Sequence, residues 1–101
     1  MLELCLEIPS LREYDAWVRQ LIRCSSSVGA NYRASQRAKS TADFIYKLKI
    51  VEEEADESIY WLELFQEVID KNHPEIIKLI KEANELLAII VASIKTARRN
   101  K

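Results

Sequence analysis

Three consecutive serines, Ser25-Ser26-Ser27, stand just before the only glycine of the chain, Gly29. A serine hydroxyl becomes a nucleophile when a neighbouring base takes its proton. The chain has one histidine, His73, in a turn between two apolar runs, and no Gly-x-Ser-x-Gly elbow. A phosphate-cradling loop needs several glycines, which one residue cannot supply. The second chemically loaded stretch is Glu52-Glu53-Glu54-Ala55-Asp56-Glu57. Carboxylates hold hard cations, but the dimetal sites of helical bundles draw on Glu-x-x-His pairs, and this sequence has none. Acids packed this densely on a helix point around several faces, so most must be solvated. Lys49 lies four residues before Glu53 and offers surface pairing there. Glu54 differs from its neighbours: it shares a face with Ile50, Trp61 and Leu64, and partial burial is expected. Cys5 and Cys24 lack metal-type spacing and read as reduced thiols acting as small apolar groups. No catalytic residue, metal or cofactor is assigned, no small-molecule substrate is implied, and the reading is of a protein that is not an enzyme.

Positive charge is the remaining candidate. Arg19/Arg23 and Arg33/Arg37 are spaced four apart, which draws their charge into strips along a helix, and Lys39 follows closely. With aromatics nearby to stack on bases, such strips contact RNA or DNA. The C-terminal stretch from Lys95 to Lys101 could add to them. Against this, 15 basic and 16 acidic residues leave a formal net charge of −1. That is not the balance of a chain built mainly to neutralise phosphates. Nucleic-acid contact through Arg19, Arg23, Arg33, Arg37 and Lys39 is therefore the alternative reading.

The elements that carry these residues are helices. One glycine and two prolines in 101 residues fall far below the usual roughly 7% and 5%. Turns draw on those residues, so few turns and long elements follow. Capping boxes at Ser10…Glu13, Ser40…Asp43 and Asn72…Glu75 each precede an apolar repeat of helical period. The spacing predicts helices over about 11–38, 41–71 and 75–98. The first carries Tyr14, Trp17, Leu21, Cys24, Val28 and Tyr32 near one side. The second has a seam through Phe44, Leu48, Val51, Ala55, Ser58, Leu62, Phe65 and Ile69, with a further strip at Trp61, Leu64 and Val68. The third repeats through Ile76, Ile80, Ala83, Leu87, Ile90, Ile94 and Ala97. Its apolar run Leu86–Ala92 is too short to span a bilayer and reads as a buried helix face. Met1 to Ile8 reads as a short helical stub.

The result is an all-α chain, a single domain over residues 1–101: an antiparallel up-down helical bundle of three long helices plus a short N-terminal helical stub. The apolar face of the second helix is wider than one core needs, which points to self-association through part of it. No secretory leader pattern opens the sequence, which places it in the cytoplasm and away from membranes. Ser25, Gly29 and Ala30 form a narrow small-residue face. Glycine in a helix interior costs about 1 kcal/mol relative to alanine, so its presence asks for a close neighbour. Asn31 and Tyr32 beside it, with Phe44, Trp61 and Leu64 on the next helix, complete the candidate packing or assembly residues.

The run Ser27-Val28-Gly29-Ala30-Asn31-Tyr32, then Arg37-Ala38-x-Ser40, Asp43-Phe44-Ile45, Lys47-Leu48-Lys49-Ile50, Glu54-Ala55 and Trp61-Leu62, resembles a known pattern. It is that of the four-helix-bundle family named after proteins encoded in intervening sequences of 23S ribosomal RNA genes. The ending Ala88 to Thr96 is similar to that of the family's close relatives. The resemblance covers residues 8 to 100. It implies an up-down bundle assembling as a ring, usually a homopentamer, without an established enzymatic activity. Two departures stand out. Ala34 replaces a usually acidic residue, and only Met1 to Ile8 corresponds to what is a full first helix in relatives.

Overall fold

The structure is a computed structural model that describes residues 4–5 and 12–100. Three helices follow one another: α1 (Arg12–Ser35), α2 (Thr41–Val68) and α3 (Pro74–Arg99). Leu4 and Cys5 are also helical. The rest of the expected stub, and the Ser10…Glu13 cap, lie outside the described residues. The helices run antiparallel, and the pairing of core residues shows it. Leu21 from the first half of α1 meets Leu62 and Phe65 from the end of α2, Ile76 from the start of α3, and Leu4. At the other end Leu48 and Val51 from the start of α2 meet Ile90 and Ile94 from the end of α3, with Val28 packed alongside. We call these the proximal and distal clusters. Trp17 meets the Phe65 ring edge-on at 5.8 Å between centroids, which anchors the proximal one.

The α2 seam is buried as its period requires, from Leu48 through Phe65. α2 packs against both neighbours, whereas α1 and α3 barely touch each other. That asymmetry corrects the reading of Leu86–Ala92. Of those seven residues only Ile90 is buried; Ala88, Ile89 and Ala92 are exposed and the others half-buried. A helix covered by a single neighbour can hide only the strip facing it, however apolar its other sides are.

Local chemistry sets the ends. Ser40 Oγ accepts from the Asp43 backbone N–H at 3.0 Å, the forward half of the expected box. The Asp43 carboxylate reaches back one residue further, to the Lys39 N–H at 3.3 Å. α1 stops earlier than its pattern suggests, in a tight turn where Gln36, Arg37 and Ala38 donate to carbonyls three residues back. α3 is capped by His73, not Asn72: its Nδ1 accepts from the Glu75 N–H at 3.2 Å. Pro74 follows in the first turn, where a missing N–H is harmless. Among the described residues no helix is long and apolar enough to cross a membrane.

Candidate functional site

Arg23 leaves its strip to bridge two helices at the bundle surface, its side chain 50% exposed. Its guanidinium pairs with Glu54 at 3.3 Å and with Glu57, joining α1 to α2, while Nε donates to Gln20 at 3.2 Å. Desolvation works against its charge, but Glu54 and Glu57 together outweigh that and hold it above its ordinary value. Glu54 is accordingly the most covered of these groups, its side chain 21% exposed. Beneath the ion pairs lies Cys24, fully buried. Ser58 Oγ donates to the Glu54 carbonyl at 2.8 Å and sits 3.2 Å from Cys24 Sγ. Burial pushes the Cys24 thiol up, against the hydrogen bond from Ser58, and burial raises Cys5 as well. Protonated thiols are poor nucleophiles. Ligand-type atoms of Cys24, Glu54 and Glu57 lie within 4.8 Å of one another. The Arg23 guanidinium occupies the position a cation would need, so the cluster serves as a staple between helices. Lys49 pairs with Glu52 at 3.1 Å, one residue short of the anticipated Glu53.

The small-residue face of α1 divides. Gly29 and Ala30 are exposed, and a Cβ built at Gly29 meets no atom within 4 Å. No glycine among the described residues has a positive φ either. Among the described residues, then, no neighbouring helix approaches Gly29, and the close neighbour expected for it is not found there. Asn31 bonds along its own helix, its Nδ2 donating to the Ser27 carbonyl at 3.0 Å and to Ser27 Oγ at 3.1 Å. It does not set register between helices. Ser25 instead lines an apolar groove of about 180 Å³ between α1 and α3, floored by Ala55 and Ser58 and walled by Val28, Ala83 and Leu86. Trp61 packs on the proximal cluster, its indole N–H buried without a hydrogen-bond partner among the described residues. Leu64 is half-buried beside it. Phe44 packs on the distal cluster and borders open depressions beside α3.

Two surface regions remain. The first is the bare part of α3, where Ile89 is 61% exposed between Ala88 and Ala92. The second is the distal end. Antiparallel folding brings the end of α1 beside the end of α3, so that Lys39 and Asn100 line one open depression. Arg33, Arg37, Lys39, Lys95, Arg98 and Arg99 are all exposed there. None forms an ion pair with a described residue. The opposite end holds Asp15, Glu63, Glu67, Asp70 and Glu75, with Lys71 and Lys78 among them. Arg19 sits about 21 Å down α1 from Arg33 at 1.5 Å per residue, outside the basic end. Sequence spacing alone placed Arg19 and Arg23 with the rest because it could not see where each lies along the bundle.

Three antiparallel helices wrapped on a central α2 define an all-α helical-bundle protein. The family model for the 23S rRNA-intervening sequence protein matches residues 1–92, and the chain belongs to that family. It is similar to a solved structure from Bacteroides thetaiotaomicron, a protein of unknown function from the S23 ribosomal protein family. The two share 34% identity with a TM-score of 0.74, over 78% of this chain and 73% of that one. No curated protein matches.

Proposed function

We propose that this chain is a non-enzymatic, cytoplasmic bundle protein that works as a homo-oligomer, its copies meeting over the bare apolar surface of α3. One observation carries the reading: a seven-residue apolar run in which only Ile90 is buried. A helix apolar on all sides is normally buried on all sides, and a second copy supplies the missing cover. Family resemblance makes a ring of five the expected assembly. A ring needs a heterologous contact, with the α3 face of one copy against a different face of the next.

Sedimentation velocity across micromolar concentrations tests this. The expected result is a defined oligomer that Ile89→Glu converts to a monomer with unchanged helix content by circular dichroism. A wild-type chain that stays strictly monomeric sinks the proposal.

A further inference from the structure

We propose that the distal end of the bundle is a docking surface for the phosphate backbone of a single-stranded nucleic acid. The overall charge of −1 hides the surface because the charges separate along the molecule. Six exposed cations, Arg33, Arg37, Lys39, Lys95, Arg98 and Arg99, gather at one end. The single carboxylate among them, Asp43, is turned toward the Lys39 backbone N–H at the start of α2. An unpaired cluster of this kind keeps its full field for a ligand. The molecule is 21 × 17 Å across its two short axes, so one strand passing over this end stays within reach of the whole cluster.

Two exposed tyrosines distinguish this partner from other anions. Tyr32, 44% exposed, precedes Arg33, and Tyr46, 62% exposed, stands in the second turn of α2 with the Lys47 ammonium 5.8 Å above its ring. Exposed aromatic rings beside a basic track are what unpaired bases stack on, and at Tyr46 the face away from Lys47 is the one left for a base. A duplex, whose bases are already stacked on one another, would engage the cations and leave both rings without a base to stack on. The inference is independent of the assembly proposed above, which uses the α3 side and not its end.

Fluorescence anisotropy with a labelled 12-nucleotide single-stranded RNA, and with DNA of the same sequence, tests it between 50 and 200 mM salt. At one phosphate per cation, six neutralised phosphates set the upper limit of this loss at roughly several-hundredfold in affinity over that range. The quadruple variant Arg33→Glu/Arg37→Glu/Arg98→Glu/Arg99→Glu should abolish binding to either oligonucleotide at 50 mM salt. Arg19→Glu, equal in charge per site but outside the end, should change it less than threefold. Tyr46→Ala should weaken oligonucleotide binding roughly tenfold and leave heparin, which has no bases, unaffected. Failure of the wild type to bind either oligonucleotide at 50 mM salt overturns the inference. So does retention of binding by the quadruple variant, provided circular dichroism shows it folded. Preference for phosphatidylserine vesicles over oligonucleotides, or loss of self-association in the quadruple variant without any oligonucleotide binding by the wild type, reassigns the end to a membrane or to another copy. Equal affinity of RNA and DNA leaves the backbone as the recognised feature, and a preference for RNA assigns the 2′-hydroxyl a part.

Discussion

α2 and α3 are apolar to a similar degree, yet their surroundings differ. α2 has a neighbour on each side, and its whole seam from Leu48 to Phe65 is buried. Among the described residues α3 packs mainly on α2, and beyond Ile76, Ile90 and Ile94 its apolar residues are half-covered or open. The buried seam of the central helix is explained by the chain itself, although Val68 of its further strip is 46% exposed. Apolar width on an outer helix points beyond the chain, because water-facing isoleucine gains nothing from the fold. The ion pairs reinforce the difference: Arg23 joins α1 to α2 through Glu54 and Glu57, and no described ion pair joins α2 to α3.

Substitutions can break this comparison in order of size. Phe65→Ala, at the centre of the proximal cluster, should cost about 3–5 kcal/mol. Out of a total of roughly 5–15 kcal/mol for a domain, that moves the urea midpoint down sharply. Adjacent residues on α3 then separate inside from outside. Ile90→Ala should cost about 2–5 kcal/mol in denaturation, while Ile89→Ala should stay within about 0.5 kcal/mol yet weaken self-association by sedimentation. Equal destabilisation of the two would mean that the bare side of α3 is covered within the chain. Gly29→Ala should stabilise the isolated chain by about 0.5–1 kcal/mol, because neither φ nor a neighbour demands glycine there. A simultaneous loss of oligomer would assign that position to the assembly surface, and no stability gain would show that the site is already constrained.

The smallest effect is a pH dependence. Burial raises the Cys24 thiol, so the folded chain holds that proton more tightly than the unfolded chain. Its contribution is complete below the unfolded value of about 8.5 and disappears as pH climbs through the folded one. Urea midpoints between pH 8 and 10 should thus fall further for wild type than for Cys24→Ala. Equal slopes would show that the thiol is free to ionise in place.

Much of the architecture was legible from periodicity. The α2 seam, the partial burial of Glu54 and the Ser40 cap follow from spacing and side-chain chemistry. Leu86–Ala92 was misread because an apolar run records what a helix can bury, while burial depends on how many neighbours arrive. His73 was overlooked as a cap since Asn72 offers the commoner acceptor, although an imidazole Nδ1 lone pair serves as well. The partners of Arg23 lie 31 and 34 residues further along the chain, and no local rule reaches them. Gly29 is the reverse case: a cost visible in the sequence for which no described neighbour supplies a reason.

The separation of charge has a practical face. At 0.1 M salt, fields fade over about 10 Å, while the bundle is 47 Å long. Its two ends are thus electrically strangers, and a resin bead feels whichever one it touches. At neutral pH and low salt, a protein of formal charge −1 should be retained by a cation exchanger and by an anion exchanger alike. The isoelectric point describes neither column.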